Sequence, residues 1–553
     1  LGSGPLAVKN TETHLGKLTL AFSLSATRAL PIRVRIESFD ENRRPTGALA
    51  TTIHPAAADF YQRYALDLST FTADAESAGT FDPAAPFVGF TFEAGGALGW
   101  PAATHHEIHL DNLHYAAPAY YVRPTGDDAH DGRTEATAFA TPQAAINRAQ
   151  PGDIILVLDG TYSAAPGQPA KTPVARFLRA GTPSAWITLK NHPGHRPVFS
   201  SHGQHAIEIV QNRKVAPEDA GVLSYLEIRG LRIRGNGDTA RENYPAELGT
   251  WTPNVHAQGI LINGRTGPDS RPRLPDELVH HIRLADNVVE FNTADGIYVE
   301  FCDWLFVENN RIENNCWTTP GYAPSGFALM GYANFDAQDN IYKTLIAGNR
   351  ASGNRLTVKN HPWGAKPKTE FYNGNGFLLD ANADKPIKYL GRTLVQNNLA
   401  FDNGAGGIQM WGSHRLDLVN NTVAYNATVI PWGQVGFEYS RDVRFINNII
   451  VAPAGLPLDT WFLGRADERT SGIVRINNLY WGGAHPNIPG VADLVADPLF
   501  VNPSTDPATA DFRLRPNSPA ATAGRWESFT PITDITGRPR PAQAAPALGA
   551  FQP

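Results

Sequence analysis

Between residues 281 and 450 the apolar positions come in short alternating bursts, each preceded by a polar phrase: Asn-Asn or Asp-Asn, an apolar step, then Asn and Gly. Asn287, Asn310, Asn349, Asn398, Asn421 and Asn448 keep this register, and alternating segments open at Gly296, Gly326, Gly376, Gly407 and Gly436. One period is roughly two dozen residues, the length of one coil in a stacked array. In each segment the second and fourth positions are large and apolar while the third and fifth vary, so the apolar column must face inward. A unit this short cannot bury its own core. Its strands must therefore pair with those of neighbouring coils, about 4.8 Å apart. Asn recurring at one turn then forms a ladder of amides bonded to the coils above and below. The predicted fold is all-β: a right-handed parallel β-helix.

Residues 1–117 lack this phrase. They carry alternating strands such as Ile32–Ile36 and Tyr64–Leu68 between turn residues, the spacing of a small antiparallel β-sandwich. Two domains are expected, 1–117 and 118–553, the second closed by a segment from about residue 491. With 50 Gly, 43 Pro and only 18% charged residues, the 553-residue chain suits many short strands and tight turns. A net charge of -6 argues against a nucleic-acid partner, and the absence of a long apolar run argues against a membrane span. A monomer is expected. Cys302 and Cys316 are the only cysteines; their pairing as a disulfide stays open, and two buried thiols are the favoured reading.

Two resemblances add to this. Residues 64–71 and 108–115 resemble the closing strands of jelly-roll carbohydrate-binding modules, which implies either a sugar-binding domain or a cap. Residues 120–128, 131–134, 140–146, 151–155 and 160–162 resemble the entry segment of the secreted pectate-lyase-like β-helix superfamily, and 497–503, 512–514, 517–520 and 548–551 its closing segment. That resemblance implies a first strand, a short capping helix, a first coil, and a secreted or periplasmic setting. It leaves the chemistry open, because the superfamily holds lyases, hydrolases, epimerases and adhesins. The Asp-Asp-Gly calcium motif of family 9 pectate lyases is not found at the matching turn, nor is the full motif set of polygalacturonase-type hydrolases.

Regular coils need no long loops, so the interruptions mark where function was added. Extra residues fall at 317–324, 332–342, 355–373 and 383–391, with a shorter extension near Trp432. From 341 to 392 nine Lys and Arg face three carboxylates, inside a chain that is acidic overall. Such a surplus suits an anionic, uronate-containing polysaccharide. Candidate binding residues are Trp317, Trp363, Trp411, Tyr332, Arg355, His361 and His414, because sugar rings pack on aromatic faces and polar side chains orient them.

The fifth strand positions run Asn263, Glu300, Met330, Asp380, Trp411 and Ser440. Glu300 and Asp380 then lie two rungs apart, near the separation of an inverting glycosidase pair. Asp380, Asp384, Asp336 and Asp339 form a candidate Ca²⁺ cluster. Three outcomes follow. The first, and favoured, is β-elimination, with a base drawn from Lys359, Lys343, Lys388 and Arg392. The second is hydrolysis by Glu300 and Asp380. The third is a binding or adhesive β-helix without turnover.

Overall fold

In the computed structural model the described residues are 8–9, 19–26, 31–40, 42, 44–55, 58–67, 70–77, 79–82, 87–93, 98, 108–116 and 120–553, apart from 165–171, 184, 202–204, 212–221, 238–256, 265–277, 318–323, 358–370, 372, 381–387, 460–469, 484–489 and 543. Before residue 120 lie two antiparallel sheets. One has five strands with Ile32–Phe39 at its centre; the other has three, with Thr19–Ala26 between Ala58–Asp67 and Ile108–Ala116. The two segments that resemble jelly-roll strands thus flank one shared partner.

From Tyr120 onward the strands stack in parallel into three long sheets of eleven, eleven and eight strands. This is a parallel β-helix, as the alternation and the superfamily resemblance imply. The entry segment supplies the strand Tyr120–Val122, a helix at Pro142–Arg148 and the first coil strand, Ile154–Val157. Thr141 caps the helix by accepting a bond from the amide of Ala144. Inward residues of all three sheets merge into one continuous apolar core running from Tyr120 to Tyr480.

The Asn-Asn phrase has a division of labour. The first Asn of each pair (Asn309, Asn397, Asn420, Asn447 and Asn477) adopts positive φ and turns the corner between the first and second sheets. The second enters the ladder. From Asn287 through Asn310, Asn349, Asn398, Asn421, Asn448 and Asn478, each side-chain oxygen accepts both the backbone and the side-chain N–H of the Asn before it, at 2.9–3.1 Å. A second ladder, missed in the sequence, runs through Asn292, Asn315, Asn354, Asn403 and Asn426 at the next corner, where Gln434 takes the final place. Its signal was present: an Asn recurs five residues after each ladder Asn from 287 to 421.

The closing segment lies along the side of the solenoid. Phe500, Phe512, Leu514 and Leu548 pack on Leu399, Phe401, Ile449, Val451 and Leu479 of the second sheet. Corner residues Asn420, Asn447 and Asn477 donate to tail carbonyls at 2.7–2.8 Å. Cys302 and Cys316 are both free and buried.

Candidate functional site

The interruptions flank the third sheet. Residues 317–324 and 355–373 lead into its strands Phe327–Met330 and Phe377–Asp380, and 332–342 and 383–391 leave the same two strands for the first sheet. Long connections, 235–259 and 264–278, also precede and follow Ile260–Asn263, ahead of the first ladder residue Asn287. On the exit side the loops bond to one another. Asn334 donates to the carbonyl of Lys388 and accepts from the amide of Leu390, both at 2.8 Å. His414 reaches the carbonyl of Tyr389 at 2.9 Å, and Arg415 bonds Asp339 and the carbonyl of Leu390. These contacts make a continuous wall along one margin of the sheet.

The outward column of the third sheet places Asn263 beside Glu300, Met330 beside Asp380, Asp380 beside Trp411, and Trp411 beside Glu438. Glu300 continues the register onto Met330, two rungs from Asp380, so roughly 9.6 Å separates their backbones. The last position corrects the predicted column. Ile408 pairs with Val435 rather than Phe437, a two-residue slip that keeps inward residues inward but puts Glu438 where Ser440 was expected; Ser440 is buried. Glu300 is only 4% exposed and accepts from Tyr298 Oη at 3.3 Å and Asn263 Nδ2 at 3.5 Å. Asp380 is half-buried, and its charge helps raise the neighbouring phenol of Tyr332, after burial. Trp411, 44% exposed, meets Tyr439 edge to face at 4.6 Å.

Several expected residues are placed elsewhere. Trp317 is wholly buried, and Tyr332 is buried against Tyr389 with ring centroids 4.6 Å apart, so neither ring is open to a sugar. His414 is buried, and desolvation lowers its pKa. Lys343 is fully buried between Asp303 at 3.3 Å and Asp336 at 2.5 Å. Arg392 lies on the first sheet, bonded to Asp417 at 2.9 Å and Asp442 at 3.0 Å. Arg355 pairs with Asp402, and Arg350 with Glu313. Four of the five described cations in the basic insert are therefore already matched by acids; Lys388 is exposed on the wall. Lys359, His361, Trp363 and Asp384 lie outside the described residues.

Two of the proposed calcium ligands are likewise engaged. Asp336 accepts from Lys343 and from Trp304 Nε1 at 2.8 Å, which hold its carboxyl below the ordinary range although burial opposes them. Asp339 pairs with Arg415. A cation at these two aspartates would have to displace Lys343 and Arg415, and among the described residues no group of three or more His, Cys, Asp or Glu is arranged to hold a metal. Asp336 and Asp339 as they stand do not fit the ion, while Asp384 lies outside the described residues.

Beneath the wall lies a buried cluster that the sequence did not reveal. Asp303 accepts from the amides of Trp304 and Phe335 and from Tyr389 Oη, and burial pushes its carboxyl up to about 6 despite Lys343. His280 stacks on Phe335 and His281 on Trp304; burial draws His280 down to about 3 and His281 well below its ordinary value. These groups anchor residues 333–341. Nothing near His280 and His281 in the sequence marks the cluster, because Phe335 and Trp304 lie on other coils.

No family model matches the chain, and no curated protein matches it. Among solved structures it is similar to a pectate lyase (17% identity, 79% of this chain and 96% of that one, TM-score 0.45), a rhamnogalacturonan lyase (14%, 70% and 91%, 0.29) and a lacto-N-biosidase from Eubacterium ramulus (12%, 65% and 67%, 0.27).

Proposed function

We propose that the protein cleaves a polysaccharide laid along the outward face of the third sheet, and that the cleavage is hydrolytic. The observation that carries this reading is the register of exposed Trp411 on the rung beside Asp380, with Glu300 two rungs beyond. An aromatic face takes the C–H side of a sugar ring. Two carboxyl residues whose backbones stand two rungs apart, roughly 9.6 Å, suit inversion, which needs room for a water between the carboxyls: one carboxyl protonates the leaving glycosidic oxygen while the other draws a proton from the attacking water.

β-Elimination was favoured from sequence because of the basic insert. That argument weakens once Lys343, Arg350, Arg355 and Arg392 are matched by buried or half-buried acids. One observation keeps it as a second reading: Lys388 is exposed on the wall, and its charge is felt at Asp339 and His414.

Incubation with neutral and uronate polysaccharides, followed by reducing-end and ultraviolet assays, separates the two. Hydrolysis gives new reducing ends without the absorbance of an unsaturated product; absorbance in step with bond cleavage would overturn it in favour of elimination. Asp380→Asn should lower the rate at least about a hundredfold with its thermal midpoint unchanged. An active Asp380→Asn enzyme refutes the site.

A further inference from the structure

Beyond Asp380 the outward face carries a second arrangement. Glu438 follows Trp411 on the next rung, so Asp380 and Glu438 flank the exposed indole on either side. Two residues earlier along the strands, Gln409 pairs with Gly436, and Gln409 Nε2 donates to Glu438 Oε2 at 2.6 Å. The glycine is what allows this. A Cβ on Gly436 would sit 2.0 Å from Gln409 Oε1, so any side chain there would push the amide off its place. Gln409 is 2% exposed, and its Oε1 has no hydrogen-bond partner among the described residues. A buried amide oxygen without a donor is costly. The amide tolerates that cost in the pose that directs its N–H at Glu438.

From Asn263 to Glu438 the two outward columns of this sheet hold Glu300, Asp380 and Glu438 and no Lys or Arg. A carboxylate with a fixed orientation beside an aromatic platform accepts hydroxyl protons from a sugar. A uronate seated on Trp411 would instead bring a third negative charge between Asp380 and Glu438. We propose that Glu438, positioned by Gln409 over Gly436, is the hydroxyl-accepting group of a subsite centred on Trp411, and that the sugar unit bound there is uncharged. This deepens the cleavage reading, on which it rests for the direction of the polymer.

The test is calorimetric titration of the full chain with neutral hexasaccharides of xylose, glucose and mannose, and with galacturonate and mannuronate hexasaccharides. The wild type should bind a neutral member more tightly than either uronate. Glu438→Gln should weaken neutral binding about tenfold, the loss of one charge-assisted hydrogen bond, and narrow the gap to the uronates. Gln409→Ala and Gly436→Ala should move the neutral-to-uronate ratio the same way while their thermal midpoints stay within a few degrees; a merely structural role would move the midpoint and leave the ratio. Tighter uronate binding by the wild type, unchanged neutral binding in Glu438→Gln, or no binding of any hexasaccharide overturns the proposal. Neutral binding without cleavage of any polymer removes the cleavage reading and retains the subsite; cleavage with uronates preferred removes the subsite and retains cleavage.

Discussion

Replacing Asn349 by alanine should be among the most damaging single changes in the solenoid. Asn349 is fully buried within the first ladder, with rungs on both sides. Its side-chain oxygen accepts from the backbone N–H of Asn310 at 2.9 Å and from Asn310 Nδ2 at 3.0 Å. Its Nδ2 donates to the carbonyl of Val307 at 2.8 Å, to that of Ala347 at 3.2 Å and to Asn398 Oδ1 at 3.0 Å. Alanine deletes all five bonds, but their consequences differ. Asn310 Nδ2 still has the carbonyl of Leu284, and Asn398 Oδ1 still has the backbone N–H of Asn349. The N–H of Asn310 loses the ladder acceptor it has in the native fold. One stranded buried donor costs about 1–3 kcal/mol, and the remaining lost bonds and the small void bring the total to about 3–5 kcal/mol. Asn349→Asp sharpens the test. It keeps the acceptor but turns a second oxygen towards Val307 O and Asn398 Oδ1, so at neutral pH it should be at least as destabilising as alanine. It should recover as pH falls and the carboxyl gains a proton to donate. Urea unfolding followed by circular dichroism, across pH 4–7, reads both variants. A cost below about 1 kcal/mol for alanine, or an aspartate variant as stable as wild type at neutral pH, would refute the ladder's energetic role.

Other outcomes follow from the buried cluster and the thiols. Asp303 has a folded pKa of about 6 against an ordinary 3.8, so its contribution favours the fold at acid pH and is lost as pH rises through about 6. Wild-type stability relative to Asp303→Asn should therefore fall by about 2 kcal/mol between pH 4 and 7; a pH-independent difference contradicts the burial argument. Lys343→Met leaves Asp303 and Asp336 without their ammonium and should cost about 3–5 kcal/mol near pH 7 and less at pH 5, read as unfolding midpoints; a cost that does not ease with acid counts against it. Cys302 and Cys316 should resist a thiol reagent until the protein unfolds, and rapid labelling of the native state would show that the coil interior opens.

Much of the fold was legible because it rests on local repetition. Alternating strands, a fixed Asn corner and interrupted coils all leave marks within one period. The two-residue slip at Gly436 was not legible, because Val435-Gly-Phe437 offers two apolar residues of the same parity and only pairing with Ile408 chooses between them. The cations were misjudged for a different reason. Lys343 finds Asp303 forty residues back, while Arg392 finds Asp442 fifty residues ahead. Insertions of unequal length lie between such partners, so sequence separation does not reveal which charges become neighbours. Trp317 read as a sugar platform because it opens an insertion, yet the loop begins by driving that ring inward.

The stacked coils also act as a ruler with fixed graduations. Because both ladders clamp each coil to the next, groups on the outward column can be separated only by whole multiples of the strand spacing, about 4.8 Å. Met330 occupies the single graduation between Glu300 and Asp380. A carboxylate placed there would stand one step from each, close to the separation of about 5–5.5 Å used by retaining enzymes. In such a scaffold the stereochemical course of cleavage would change by a discrete jump at one position and not by gradual drift of a loop.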